Sequence, residues 1–320
     1  MPKADLVLEG GGVKGLGTAG AVMRLLKEGY QFQRVAGTSV GAVAAAFVAS
    51  GVDAPELRRL MGQLNLPSIP DRFPPGMPVL SESMSLVTHE GAYRGDYLRN
   101  WIHQRLRELG VTTFGDLRHR QAGDDDEIPH YKLVVTATDV TKGRLLRLPW
   151  DYHFFGLDPD EMLVADAVRM SLSIPFYFQP CHLGDSVIVD GGVLSNFAID
   201  IFDRTDGKPP RWPTYGVRLF PDMPEGMGKV IPPLGMPLPP PLDLLKKVVA
   251  TAFVGHDQTH LNRPEVRART MTVDTSGVGI TEFDLSADQR TMLLRRGEEA
   301  AMDFLARHRK PAKATAATAR

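Results

Sequence analysis

The chain has 320 residues, of which 43% are apolar and 23% are charged, a balance typical of a soluble globular protein with a substantial core. Its formal net charge of −1 gives no electrostatic support to nucleic-acid binding, and its single cysteine excludes an internal disulfide. No apolar run reaches the length of about 18 residues that a membrane span needs, and Met1 is followed by no signal-peptide pattern. We therefore expect a cytoplasmic protein, with peripheral membrane contact and export without a cleavable signal peptide left open.

The predicted elements begin with a strand over 4–8, and a glycine-rich segment, EGGGVKG over 9–15, joins it to a helix over 16–27. Successive glycines at such a junction let a ligand atom approach the backbone, and their N–H groups can converge on an anion. These donors would stabilise the oxyanion of an acyl-transfer reaction, where losing one donor costs about 3–4 kcal/mol. The residues assigned to this oxyanion hole are Gly10, Gly11, Gly12 and Val13, with Lys14 adding positive charge at its rim.

A dinucleotide site is the main alternative for this segment, because Gly10, Gly12 and Gly15 satisfy the G-x-G-x-x-G pattern. That pattern expects an acidic residue about 20 positions later, at the end of the second strand. Here the second strand ends in RVAG over 34–37, which contains no acid, so the nucleotide interpretation is disfavoured. A Walker A phosphate loop is excluded because neither Gly-Lys-Ser nor Gly-Lys-Thr occurs in the chain.

The second strand, over 32–36, runs into the pentapeptide GTSVG over 37–41 and then into a helix over 40–50. This G-x-S-x-G pattern is typical of a sharp strand-to-helix turn that exposes a serine hydroxyl. Gly37 and Gly41 allow the turn without a clash at the β-carbon, and the helix N-terminus favours the negative charge of an activated serine. The pattern therefore makes Ser39 the candidate nucleophile.

Further strands and helices alternate along the rest of the chain. The predicted elements are a helix opened by Asp53, an amphipathic helix over 96–109, strands over 131–138 and 143–148, a helix opened by Asp158, strands over 187–189 and 215–219, a helix over 242–261, a strand over 268–273, and a last helix from Ser286 toward His308. Alternation of this kind predicts a three-layer α/β/α fold with a mainly parallel central sheet.

The apolar strand over 187–189 delivers Asp190 to its carboxyl end, and Gly191 and Gly192 then turn the chain away. In doubly wound sheets, reactive residues gather at the carboxyl ends of the strands. Asp190 is therefore the candidate base or orienting acid for Ser39. The alternative is a structural aspartate before a Gly-Gly turn, which is a common pairing.

Together these three motifs resemble the patatin-like phospholipase family, also called patatin-like lipid acyl hydrolases. The segment SLSIPF over 171–176 is similar to that family's fourth sequence block, so the resemblance covers roughly residues 5–200. It implies a patatin-like fold, a histidine-free dyad of Ser39 and Asp190 with Asp190 as general base, and a lipid or acyl-ester substrate. We expect no cofactor and no metal ion. This chain reads NFA over 196–198, where many members of the family read Asn-x-Pro or Asn-Pro.

The α/β-hydrolase fold also uses G-x-S-x-G in a Ser, Asp, His order, which Ser39, Asp190 and either His256 or His260 would satisfy. In that fold the serine turn follows several strands, whereas here it begins at residue 37. His256 and His260 are also spaced as a metal-binding pair on the predicted helix over 242–261, but no third ligand is indicated. Solvated or partly buried histidines are the preferred interpretation.

The sequence predicts a single catalytic domain over 1–309 and a disordered tail over 310–320. Two proline-rich segments, near 64–80 and 221–241, are expected either to form a lid or lipid-facing loops or to pack against their own domain. The expected function is a serine lipid acyl hydrolase that cleaves carboxylic ester bonds. The alternatives left open are an acyltransferase or thioesterase that uses the same dyad, and a non-catalytic lipid-binding relative.

Overall fold

The fold is known from a computed structural model that describes residues 1–71, 90–119, 130–220, 263–280 and 282–309, together with 244–245, 247–249 and 251–252. Several predicted features lie outside the described residues: His256, His260, the proline-rich segment over 221–241 and the tail over 310–320.

The proline-rich segment near 64–80 is described only over residues 64–71. There Leu64, Leu66 and Ile69 are buried in the main hydrophobic core. These three apolar side chains therefore pack against their own domain, whereas Asn65 and Pro67 between them are exposed.

One mixed sheet of eight strands lies at the centre of the described residues, and a separate pair of strands lies beside it. The strands are β1 (Lys3–Leu8), β2 (Gln31–Thr38), β3 (Gly91–Tyr93), β4 (Leu133–Asp139), β5 (Arg144–Leu148), β6 (Phe176–Phe178), β7 (Cys181–Leu183), β8 (Ser186–Asp190), β9 (Thr214–Phe220) and β10 (Thr270–Asp274). The order in the sheet is β10-β9-β1-β2-β4-β8-β7, with β5 also paired to β4, while β3 pairs with β6. β10, β9, β1, β2 and β4 are parallel, whereas β5 and β8 run antiparallel to β4.

Helices cover both faces of the sheet. Their bounds in the described residues are α1 (Gly15–Lys27), α2 (Val40–Ala49), α3 (Ala54–Gln63), α4 (Asp96–Glu108), α5 (Val164–Ser171), α6 (Pro264–Ala268) and α7 (Ala287–Arg309). Leu6 and Val35 of the central strands join a large cluster with α1 and α2, whereas the neighbouring Val7 and Ala36 join a smaller cluster with Val266 of α6. Because successive side chains of a strand point to opposite faces, both faces are buried. The predicted α/β fold with a mainly parallel sheet is confirmed.

Two of the predicted helix starts are confirmed by their caps. The Asp53 carboxylate accepts the N–H of Glu56, and the Ser286 hydroxyl accepts the N–H of Gln289. The helix predicted to open at Asp158 is wrong, because that carboxylate accepts the N–H of Asp160 and caps only a short 3₁₀ turn. The α-helix in this region begins at Val164 instead.

α1 and α7 pack against each other at a separation that only glycine allows. A β-carbon at Gly20 would lie 2.1 Å from the carbonyl oxygen of Leu294, and one at Gly297 would lie 2.0 Å from that of Gly17. Contacts this short cannot occur, so the two helices would have to move apart to admit an alanine.

We expect Gly20→Ala to lower the free energy of unfolding by about 1–3 kcal/mol, although alanine is the better helix former, because its methyl group overpacks the α1–α7 interface. Gly62→Ala is the matched control, since Gly62 lies on the exposed side of α3 with no atom within 4 Å of the added carbon. That substitution should raise stability by up to about 1 kcal/mol. Urea unfolding midpoints measure both changes, and equal effects at the two positions would contradict the close packing.

Candidate active site

The candidate nucleophile and the candidate base are brought together by β4. Thr38, at the end of β2, pairs with Thr136 of β4, and Asp190, at the end of β8, pairs with the next residue, Ala137. β5 also pairs with Thr136 and Ala137 and so occupies the opposite edge of β4. β2 and β8 therefore follow each other along one edge and point toward each other. Their carboxyl ends meet, which brings Ser39 next to Asp190.

Ser39 lies in the sharp turn that the G-x-S-x-G pattern predicts. Its backbone has φ 53° and ψ −127°, a conformation that costs a non-glycine residue about 1–3 kcal/mol and that persists only where the surroundings enforce it. The flanking glycines are required, because a β-carbon at Gly37 would lie 2.4 Å from the Gly41 carbonyl oxygen, and one at Gly41 would lie 2.4 Å from that of Leu8. α2 begins at the next residue, Val40, so Ser39 stands at the helix N-terminus.

Asp190 is fully buried beside Ser39. Its Oδ1 accepts the N–H of Gly192 at 2.8 Å. Burial raises the pKa of Asp190 to about 7, against the opposing effects of the Gly192 N–H and the Ser39 side chain. Among the described residues, Oδ2 has no partner with full hydrogen-bond geometry, so the contact with the Ser39 hydroxyl is loose. Such contacts are often long in unliganded sites and tighten when the reacting groups are in place.

The two glycines after Asp190 serve different purposes. Gly192 donates the hydrogen bond to the carboxylate, in a short turn that Asp190 itself caps. A β-carbon at Gly191 would lie 2.6 Å from Thr136 Oγ1 and 2.7 Å from the Thr136 carbonyl oxygen. The absence of a side chain at Gly191 therefore lets the turn lie against β4.

The glycine-rich loop lies directly against the candidate nucleophile. A β-carbon at Gly10 would be 3.0 Å from Ser39 Cβ. Two of the four predicted oxyanion donors are engaged elsewhere in this conformation. The Gly10 N–H donates to the Asn196 carbonyl at 3.2 Å, and the Val13 N–H donates to the Ile280 carbonyl at 3.0 Å.

Gly11 and Gly12 are the other two predicted donors. In the part of the chain that the structure describes, their backbone N–H groups have no hydrogen-bond partner. Gly12 has φ +57°, and a β-carbon there would lie 1.9 Å from the Ile280 carbonyl oxygen, so only glycine fits. Of the predicted set, these two N–H groups are the ones available to an incoming anion.

Lys14, which the sequence predicts to add positive charge at the rim of the oxyanion hole, has a buried side chain. It lies near Asp274, whose pKa is lowered by hydrogen bonds from Ser276 and, more weakly, by the charges of Arg296 and Lys14. Asp274 is the last residue of β10, so the charge of Lys14 acts on that end of the strand.

Asn196 was not singled out from the sequence as a site residue. Its side-chain amide donates to the Gly10 carbonyl at 3.1 Å, and its own carbonyl accepts the Gly10 N–H. This pair of bonds fastens the glycine-rich loop to the segment that follows Asp190. The signal available in the sequence was the position of Asn196 shortly after the Asp-Gly-Gly motif.

The sequence pattern assigns Ser171 no role beyond its place in the SLSIPF segment. Its hydroxyl accepts the backbone N–H of Ser39 at 2.7 Å, and the side chain is fully buried. A contact between residues 132 positions apart leaves no local pattern in the sequence.

No group of three His, Cys, Asp or Glu side chains within the described ranges is arranged to hold a metal ion. None of the helices described is long and apolar enough to cross a membrane.

Comparisons with known proteins agree with this architecture. The family model for patatin-like phospholipases matches residues 6–203. The chain is 36% identical over 307 residues to the uncharacterized protein YqhO of Bacillus subtilis, covering 94% of this chain and 97% of that protein. It is 28% identical over 204 residues to an uncharacterized NTE family protein of Mycobacterium tuberculosis, covering 63% of this chain and 29% of the longer relative. Its fold is similar to that of VipD from Legionella pneumophila, with a TM-score of 0.54, 17% identity, and coverage of 95% of this chain and 67% of VipD.

Because Asp190 is buried, the free energy of unfolding should depend on pH. Burial raises the pKa of Asp190 to about 7 in the folded protein, well above that of an exposed aspartate, so over the intervening pH range the folded protein holds a proton that the unfolded chain releases. Near pH 4, the ionisation of Asp190 should therefore contribute little to the difference in free energy of unfolding between wild type and Asp190→Asn. Wild type should lose stability relative to the variant as the pH rises to about 7, by up to about 4 kcal/mol, with no further change above that.

Thermal or urea unfolding at several pH values measures this difference. Asp185→Asn, in the exposed turn between β7 and β8, is the matched control, because an exposed carboxylate keeps its hydration in the folded state. A difference between Asp190→Asn and wild type that stays constant from pH 4 to pH 8 would refute the buried, protonated carboxyl group.

Proposed function

We propose that this chain, which belongs to the patatin-like phospholipase family, is a serine acyl hydrolase that cleaves carboxylic ester bonds of phospholipids or other acyl lipids. The observation that carries the proposal is the meeting of Ser39 and Asp190 where β2 and β8 converge on β4. The N–H groups of Gly11 and Gly12, which have no hydrogen-bond partner in the described part of the chain and lie in the loop against Ser39, support it. An activated serine, a base and oxyanion donors are the three parts that acyl transfer requires.

In the first proposed step, the Ser39 hydroxyl oxygen attacks the ester carbonyl carbon while Asp190 takes the hydroxyl proton. The carbonyl oxygen becomes negatively charged and accepts hydrogen bonds from the N–H groups of Gly11 and Gly12. The carbon–oxygen bond to the alcohol or lysolipid then breaks. Asp190 returns its proton to the departing oxygen, which leaves an acyl ester on Ser39.

In the second step, Asp190 takes a proton from a water molecule that attacks the acyl–serine carbonyl. The same two N–H groups stabilise the second tetrahedral oxyanion. When this intermediate collapses, the proton passes to Ser39 and the fatty acid is released. No histidine takes part in this scheme.

The raised pKa makes Asp190 a better base than an ordinary carboxylate. A base whose pKa lies near the working pH combines an adequate ionised fraction with a useful affinity for the proton. Burial supplies this property in Asp190 by disfavouring the charged form. We also propose that residues 1–309 form one catalytic domain and that the enzyme is cytoplasmic, meeting its lipid substrate through peripheral contact with membranes.

Hydrolysis of a short-chain p-nitrophenyl ester tests the proposed dyad. Ser39→Ala and Asp190→Asn should each lower kcat at least about 1,000-fold, because each removes a group that takes part in bond making. Ser50→Ala at the other end of α2 and Asp185→Asn are matched controls that should keep wild-type activity.

A His256→Ala/His260→Ala variant separates the dyad from a triad. Full activity in that variant supports the dyad, whereas its inactivation in a folded protein would replace the dyad with a histidine triad. Wild-type protein that neither hydrolyses esters nor reacts with a fluorophosphonate would favour a non-catalytic lipid-binding role. Product analysis with added glycerol or acyl-CoA distinguishes hydrolysis from acyl transfer and thioester cleavage.

The dependence of kcat/KM on pH provides a separate prediction. Asp190 must be ionised to act as a base, and its pKa is about 7, so kcat/KM should be half-maximal near that pH. Below it the rate should fall about tenfold per pH unit, because only the ionised fraction of Asp190 reacts. A profile that stays flat from pH 8 down to pH 5 would show that another group, or an unperturbed carboxylate, serves as the base.

A further inference from the structure

We propose that residues 171–173, the last residue of α5 and the turn that follows it, form a brace that holds Ser39 and Asp190 at their mutual distance, with Ser171 as a positioning residue for the proposed acyl transfer. The inference rests on the proposed function, to which it adds a residue that does not itself touch the substrate. It is carried by two hydrogen bonds that leave the same turn in different directions, one to each member of the dyad.

The first bond runs to the candidate nucleophile. The Ser39 N–H donates to Ser171 Oγ at 2.7 Å, and both residues are buried. Ser39 has a positive φ and is the residue just before α2, so its backbone N–H has no acceptor within the helix. This N–H therefore needs an acceptor from another part of the chain. A buried N–H without an acceptor is costly, so the Ser171 hydroxyl stabilises the strained conformation that presents the Ser39 side chain.

The second bond runs to the candidate base. The Asp190 N–H donates to the Ser173 carbonyl at 2.9 Å. Ser173 is itself anchored, since its hydroxyl accepts from Arg169 Nη1 at 2.6 Å and donates to the Arg169 carbonyl at 3.0 Å. The same guanidinium donates to the Gln179 carbonyl at 2.8 Å, which ties the turn to the chain beyond β6. The turn is therefore fixed independently of both reacting residues.

The sheet alone does not connect the two residues directly. β2 and β8 each pair with β4, and in the described residues they form no ladder with each other. β4 sets how far each strand extends, while the turn links the first residue beyond β2 to the last residue of β8. Loss of the Ser171 hydroxyl would leave Asp190 in place and free the Ser39 backbone to rotate. A displacement of about 1 Å at a reacting atom can cost about 100-fold in rate.

The test compares Ser171→Ala with Ser171→Thr, which keeps a hydroxyl acceptor, and with Ser50→Ala as a matched serine at the other end of α2. For ester hydrolysis, Ser171→Ala should lower kcat by about 10- to 100-fold with KM changed less than about twofold, because positioning acts on the reacting atoms. Ser171→Thr should recover most of kcat, and Ser50→Ala should match wild type. The pH at half-maximal kcat/KM should rise in Ser171→Ala, since Ser39 no longer lowers the pKa of Asp190.

Hydrogen exchange of the Ser39 amide, followed by NMR, is a readout that needs no activity. Exchange should be faster in Ser171→Ala than in wild type and slow again in Ser171→Thr. If wild type is inactive, the proposed function fails, and this measurement still decides whether the brace exists. Wild-type exchange and wild-type kcat in Ser171→Ala would overturn the proposal, as would a loss of activity that Ser171→Thr fails to recover. If Ser171→Ala does not fold, Ser171→Cys takes its place, because a thiol is a weak acceptor of similar size.

Discussion

The candidate site depends on one edge of β4, which two strands of opposite direction share. β2 occupies the first part of that edge and β8 the second, and their carboxyl ends meet between Thr136 and Ala137. If β8 ran parallel to β4, as β2 does, its last residue would point in the same direction as the end of β2 and would not face it. The antiparallel run of β8 instead brings Asp190 head-on to Ser39. The glycine-rich loop, the serine turn and the segment after Asp190 are all arranged around this junction.

Burial of the junction creates a conflict between stability and reactivity. The burial of Asp190 raises its pKa to about 7, so at neutral pH folding opposes the ionisation on which its action as a base depends. Ser39 adds strain through its positive φ. Close packing around the two residues offsets both unfavourable terms. It includes the contact of Gly191 with Thr136 and the hydrogen bond that the Ser39 N–H donates to the Ser171 hydroxyl. Sites that retain such costs are often the ones that carry function.

Two of the four predicted oxyanion donors in the glycine-rich loop are already used in hydrogen bonds within the protein. The Gly10 N–H donates to Asn196 and the Val13 N–H to Ile280, while the N–H groups of Gly11 and Gly12 have no partner among the described residues. Because Asn196 follows Asp190 in the chain, the loop and the candidate base are held by one continuous segment. The family model covers both motifs within residues 6–203, and the similarity to YqhO extends over 94% of the chain. The elements beyond residue 203, including β9 and α7, complete the sheet and the helical layer around this core.

The sequence by itself determined the features that depend on neighbouring residues: the strand before each motif, the glycines that permit Ser39 its turn, the cap at Asp53, and the α/β class. It predicted that Asp190 ends a strand, but local pattern carries no information about the direction in which that strand pairs. Tertiary structure alone decided the antiparallel run of β8, the burial of Lys14, and the partners of Asn196 and Ser171. Each of these depends on contacts between segments far apart in the chain, and such contacts are set by how the layers pack and not by any local propensity.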